Sequence, residues 1–175
     1  GRGEIIDQDL VEYGGRHGEL RFRAPDARQH VSRLPLRSPA ALADLYTLSM
    51  EDILDYLAAL GQQLDIATNP HMQQARALSY LTAPTTAPIV DAFYENLPAM
   101  FMRDSLRDLA DMQIGIPCLE GWVPATTPRG TTIGIRAFGA RTVHIIAGTG
   151  PSVGALTLIR CAFTRSHCLC KAPSY

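Results

Sequence analysis

Thr142-Val143-His144-Ile145-Ile146-Ala147-Gly148-Thr149-Gly150-Pro151-Ser152-Val153-Gly154 carries the strongest structural pattern in the chain. Its first half is nearly continuous in apolar residues, the pattern of a strand buried on both faces. Gly148, Gly150 and Gly154 then break that pattern, and Pro151 suits the first position of a helix. An amphipathic segment follows to about Thr164, and His167-Cys168-Leu169-Cys170, ending in Lys171, forms a second apolar run. Strand, glycine turn, helix and strand make the minimal β-α-β unit, whose crossover is right-handed. Ligands of such units bind at the carboxyl ends of the strands, where Thr149 and Lys171 fall. One cation beside the N–H groups of a helix start suits a phosphate or a ribose. The glycine spacing alone also fits a tight turn that needs positive φ, since it matches neither the G-x-G-x-x-G fingerprint nor a P-loop.

Outward from this unit, residues 116–131 read as an irregular loop marked by Pro117, Gly121, Pro124, Pro128 and Gly130, and Thr132–Phe138 as a strand. Gly139-Ala140 is a candidate turn between that strand and the next. Residues 116–175 are thus expected to be the start of a dinucleotide-binding domain. Residues 38–115 are helical in character. Ser49 with Asp52 three positions on resembles a capping box, and Ile53, Leu54, Leu57, Leu60 and Leu64 recur at helical spacing. Asn69-Pro70 starts a helix with the stripe Met72, Ala75, Leu78 and Leu81. Pro88 opens another with Ile89, Val90, Phe93, Tyr94 and Leu97, and a further helix runs through Met102, Leu106 and Leu109 to Gly115. Residues 1–37 are a small β appendage, with Glu19-Leu20-Arg21-Phe22-Arg23 alternating as a half-exposed strand. The fold class expected is α/β: a helical layer with a β appendage leading into an incomplete, doubly wound parallel sheet.

With 16 Lys+Arg against 17 Asp+Glu and 46% apolar residues, the chain has the make-up of a globular protein without a nucleic-acid footprint. Its apolar runs are too short to span a bilayer. The start at Gly1-Arg2-Gly3 and the end at Tyr175 suggest a piece of a longer protein. Cys161, Cys168 and Cys170 read as the reduced, packed thiols of a cytoplasmic protein. Cys168-x-Cys170 supplies two same-face thiols, which do not complete a tetrahedral site, so no metal is expected. Cys118 lies in a Pro/Gly loop with no base near it in sequence.

The residues from Arg141 to Gly154, with Lys171-Ala172-Pro173-Ser174, resemble the acyl-CoA reductases of the bacterial luminescence type, members of the aldehyde dehydrogenase superfamily. The resemblance is sharpest over about residues 130–175. It implies an NADPH-linked reduction of a fatty acyl thioester to an aldehyde through a cysteine thioester. That cysteine lies downstream of the β-α-β unit in the family, beyond this chain, so the polypeptide is expected to be inactive alone. The superfamily's Pro-Trp-Asn-x-Pro stretch, aligned on Pro151, puts Thr149 at the oxyanion-hole asparagine. Its Lys-x-x-Glu pattern falls on Lys171 and Ser174. Serine in place of the ribose-binding glutamate removes a charge that would repel a 2′-phosphate, which favours NADPH. The implied cofactor set is Ile146, Ala147, Gly148, Thr149, Lys171 and Ser174, the partner is acyl-CoA or another acyl thioester, and assembly as a homo-oligomer is an expectation.

Two other classes stay open: an aldehyde dehydrogenase running towards the acid, and a non-enzymatic helical binding module. Arg136, Arg141 and Arg160 either steer an acidic CoA moiety or are ordinary surface cations. Trp122 either lines an entrance or plugs the loop onto the helices, and Met100-Phe101-Met102 faces an acyl chain or the core. His144 reads as a hydrogen-bonded residue of the core or sheet face.

Overall fold

In the computed structural model, residues 10–12, 21–23, 27–34 and 38–173 are described. The chain is α/β. Strands β1 (Leu10–Glu12) and β2 (Arg21–Arg23) pair antiparallel. The strand expected from Glu19 is therefore seen over Arg21–Arg23, while Glu19, Leu20 and Pro25 lie outside the described residues. A one-turn helix α1 (Ala27–His30) and a 3-10 segment (Pro39–Thr47) lead into the helical layer.

That layer follows from local hydrogen bonding. Helix α2 (Met50–Gln63) starts at a complete capping box: Asp52 N donates to Ser49 Oγ at 3.1 Å, and Ser49 N donates to Asp52 Oδ2 at 2.9 Å. Its apolar stripe buries Met50, Ile53, Leu54 and Leu57, with Leu60 and Leu64 packed at the edge of the core. Helix α3 (Pro70–Thr82) is capped by Asn69, whose Oδ1 accepts from His71 N and Met72 N. None of α3 is fully buried, and Leu78 and Leu81 are more than two-fifths exposed, so its stripe is only half covered. Helix α4 (Ala87–Glu95) buries Val90 and Tyr94. After a 3-10 turn (Pro98–Phe101), helix α5 (Arg103–Gln113) buries Leu106 and Ala110. Phe101 is in the core and Met100 against it, whereas Met102 is exposed.

The segment from 116 to 131 is more ordered than its prolines and glycines suggest. Ile116–Glu120 is a short helix, α6, that buries Leu119, and β3 (Val123–Thr126) forms a hairpin with β4 (Thr132–Ile135). The irregular loop expected there is corrected. Pro124 faces Gly134 in a two-stranded ribbon, where a strand has an edge that needs no N–H donor. The expected strand over Thr132–Phe138 stops at Ile135, because Ala137 N turns away to Cys118 O.

Strand β5 (Arg141–Ile145), helix α7 (Pro151–Phe163) and strand β6 (His167–Lys171) form the anticipated β-α-β unit, with β5 and β6 parallel and Ile145 opposite Lys171. Only one face of the pair is covered. Val143 is 69% and Ile145 82% exposed, so the reading of this strand as buried on both faces is corrected. The pair carries α7 on one side, and among the described residues no second layer lies on the other. One core joins the helical layer to this unit: Ala155, Ile159 and Phe163 of α7 pack with Leu54, Leu57, Leu97, Phe101, Leu106 and Leu119. Among the described residues no helix is long and apolar enough to cross a membrane.

The junction is fastened by Arg165, which no sequence pattern singled out. It sits after α7 at a φ of 55°, is 5% exposed, and reaches back to the helical layer. Nε and Nη2 donate to Leu48 O, Nη1 to Leu119 O, and Nη2 to Glu120 Oε1. Glu120 Oε1 also accepts from Met50 N, so the same carboxylate meets the start of α2. Gly139 passes directly over this end of α7. A Cβ there would stand 2.4 Å from Arg165 O and 2.5 Å from Thr164 O, which only glycine avoids.

Candidate functional site

The carboxyl end of β5 opens into a cavity of about 220 Å³. One wall is the turn Ile146-Ala147-Gly148-Thr149-Gly150-Pro151 with Gly154 and Pro173. The opposite wall comes from the helical layer: Ser79, Thr82 and Ala83 at the end of α3, and Val90, Phe93 and Tyr94 of α4. The parallel pairing sets this position, since Ile146 N donates to Lys171 O at 3.0 Å and carries the ladder one step past the strand before the chain turns away.

Helix α7 begins at this cavity. Pro151 occupies its first turn, Gly150 precedes it, no side chain caps it and no acidic residue stands in its first turn. The helix start therefore offers backbone donors and the positive end of a dipole to an anion. Gly150 serves approach rather than conformation. None of Gly148, Gly150 and Gly154 lies in the left-handed region; the left-handed glycines among the described residues are Gly115 and Gly130. A Cβ at Gly150 would come within 3.0 Å of the Phe93 ring, so glycine lets the turn close on α4. At Gly154 the nearest atom, Ile146 Cγ2, is 3.9 Å away, an ordinary contact. The alternative of a tight turn requiring positive φ is thereby corrected.

Of the residues singled out in the sequence, Ile146, Ala147, Gly148 and Thr149 line the cavity together. Lys171 ends β6 opposite Ile145 and is exposed beside the cavity rather than among its lining residues. Ser174 lies outside the described residues. The helical wall was not anticipated. Phe93 and Tyr94 belong to an apolar stripe that reads as core, and Ser79 faces the cavity while its Oγ lies 2.8 Å from Tyr94 OH.

Other candidates fall elsewhere. Trp122 is 64% exposed and meets the Phe138 ring edge-on at 5.7 Å, on the hairpin side. The Arg136 guanidinium stacks over Phe138 at 5.1 Å, and Arg160 Nε donates to Gln113 Oε1. His144 Nε2 lies 3.5 Å from Cys161 Sγ. All four cysteines are free thiols. Burial, with the neighbouring Cys168 second, pushes the Cys161 thiol up to about 11, and the same causes raise Cys170 to about 11. Neither is prepared as a thiolate nucleophile.

No family model matches the chain, and no match was found among curated proteins.

Proposed function

We propose that the chain is the cofactor-binding part of an NADPH-dependent acyl-CoA reductase. In this reading β5, α7 and β6 begin a doubly wound sheet, and the cavity at the end of β5 receives the phosphate–ribose end of the cofactor. The observation that carries it is the uncapped start of α7 opening, at the carboxyl end of a parallel strand, into a cavity lined by Ile146, Ala147, Gly148 and Thr149.

The fit is partial in size and sound in chemistry. At about 220 Å³ the cavity is below the roughly 300 Å³ at which small-molecule pockets begin, so it holds one end of a dinucleotide, the rest lying along open surface. The backbone donors at the start of α7 and the Thr149 hydroxyl match an anion with ribose hydroxyls. Lys171, at the exposed end of β6, and Ser174 favour the 2′-phosphate of NADPH. When bound, NADPH would supply the hydride that converts an acyl thioester to an aldehyde and a thiolate, which takes its proton from solvent. The acyl-accepting cysteine is none of the four present here, in keeping with the raised Cys161 and Cys170 thiols. Thr149 is the proposed oxyanion-hole position.

Calorimetric titration of the chain with NADPH and NADH tests this. NADPH is expected to bind at least about tenfold more tightly than NADH, a difference of about 1.4 kcal/mol. Gly150→Leu, which drives a side chain against Phe93 in the cavity, is expected to abolish binding. Absence of binding by either nucleotide, or equal binding by wild type and Gly150→Leu, refutes the proposal.

A further inference from the structure

Strand alternation and register place four chemically soft or basic groups in one patch. Thr142 and His144 share a face of β5, and the parallel register sets Cys168 beside Thr142 and Cys170 beside His144. Helix α7 lays Cys161 onto that face, its Sγ 3.5 Å from His144 Nε2 and 3.7 Å from Thr142 Oγ1. The ligating atoms of His144, Cys161 and Cys168 all lie within 4.8 Å of one another. Cys170 Sγ stands 3.2 Å from Cys168 Sγ.

The atoms of His144, Cys161 and Cys168 are close enough for one tetrahedral ion to bridge, while the Cys168 and Cys170 sulfurs stand closer than two ligands of one ion and open by about 0.6 Å on binding. With Zn–S bonds of about 2.3 Å and Zn–N bonds of about 2.0 Å, the edges of the tetrahedron are about 3.8 Å between sulfurs and about 3.5 Å between sulfur and nitrogen. The Cys161–His144 contact already has the second value. Thiolate with imidazole is a donor set that suits zinc rather than magnesium or calcium. Thr142 supports the patch from behind, its hydroxyl donating to His167 O at 3.0 Å while it touches Cys161. Cys161 is buried, Cys168 and His144 are half-buried and Cys170 is exposed, so an ion has a route in from the Cys170 side.

We propose that His144, Cys161 and Cys168 bind a zinc ion, with Cys170 closing the fourth position, on the face of the β5–β6 pair covered by α7. Three thiols give up their protons to solvent as the ion binds, and no electron is transferred. Four protein ligands make this a structural site. It fastens α7 to both strands and is separate from the cavity at the start of that helix.

The test uses the full chain, reduced and stripped of metal with a chelator, and titrated with cobalt(II) and then zinc. The expected result is one cobalt per chain, with the intense visible bands of tetrahedral cobalt and thiolate charge-transfer absorption, both abolished by zinc. His144→Ala and Cys161→Ser are expected to weaken uptake by at least about tenfold. Because Cys161 is buried, Cys170→Ser at the exposed edge serves as a second variant with circular dichroism as the folding control. It is expected to lower the charge-transfer intensity in a chain that remains folded. Cys118→Ser, outside this cluster, is expected to change nothing. A reduced wild-type chain that takes up no cobalt, that shows only the weak bands of octahedral cobalt, or whose spectrum survives His144→Ala overturns the proposal.

Discussion

Replacing Arg165 with methionine keeps an unbranched stem in place and removes the guanidinium that joins α7 to the helical layer. Three losses follow, of unequal size. The ion pair to Glu120 at 3.2 Å counts least, because Glu120 is 43% exposed and screening holds such a pair to about 1 kcal/mol or below. The two donors to Leu48 O, at 3.1 and 2.7 Å, are also partly replaceable by water, since Leu48 is 43% exposed. The Leu119 carbonyl is different. Leu119 is 1% exposed, Arg165 Nη1 reaches its oxygen at 2.9 Å, and methionine leaves that buried acceptor unpaired at a cost of about 1–3 kcal/mol. The left-handed backbone at residue 165 is common to both side chains and cancels. Together the loss is about 3 kcal/mol, which for a chain of this size lowers Tm by roughly 6–12 °C. Urea unfolding of the whole chain followed by circular dichroism reads this directly. Arg165→Lys, which retains a cation but not the fork of donors, is expected to fall between the two. A methionine variant within about 1 kcal/mol of the parent would refute the claim that the guanidinium holds the two parts together.

Gly61→Ala tests the close approach of α2 to the Pro98–Phe101 turn. The added Cβ would lie 2.3 Å from Phe101 Cβ, so overpacking of about 1–3 kcal/mol opposes a helix-propensity gain of about 1 kcal/mol. The net effect expected in thermal unfolding is destabilisation, larger still for Gly61→Val, and a stabilised alanine variant would show that the contact is loose. Thr149→Val is expected to leave unfolding unchanged and to weaken NADPH binding by a few-fold, the worth of one hydrogen bond, as measured by calorimetry. The Arg103 and Arg107 hydrogen bonds hold the Glu51 carboxyl below its ordinary value of 4.5. A depressed carboxyl contributes stability above its unfolded pKa and loses it as pH falls through the folded value. Acid unfolding is therefore expected to gain a component below about pH 4.5 that Glu51→Gln removes. An unaltered acid limb in that variant would assign acid sensitivity elsewhere.

The capping box at Ser49 and Asp52, the Asn69-Pro70 start and the apolar stripe of α2 were legible because each involves groups within a few residues of one another. The β-α-β unit was legible for the same reason. A glycine-rich turn, a proline at the helix start and two apolar runs specify strand, helix and strand, and β6 falls on His167–Lys171 as read. Pro124 was misleading because its tolerance in β3 depends on a hairpin partner that local composition does not reveal. Val143 and Ile145 misled in the opposite sense. Their apolar character implies a covering layer, and only packing shows that α7 covers the other face.

At the candidate cavity the sequence pointed to the turn from Ile146 to Thr149 and missed the wall of Ser79, Phe93 and Tyr94. Helical periodicity reports that Phe93 belongs to an apolar face, not which element that face meets. The same division applies to the thiols. Alternation placed Cys168 and Cys170 on one side of a strand, but His144 and Cys161 join them only through a parallel register and the roll of α7. Local sequence sets where backbone hydrogen bonds begin and end, since caps, turns and periodicity act over a few residues. Tertiary structure alone decided which faces are covered, which side chains converge across the cavity and the thiol patch, and that Arg165 closes the joint. Those depend on pairings between segments far apart in the chain, which packing selects and local patterns do not encode.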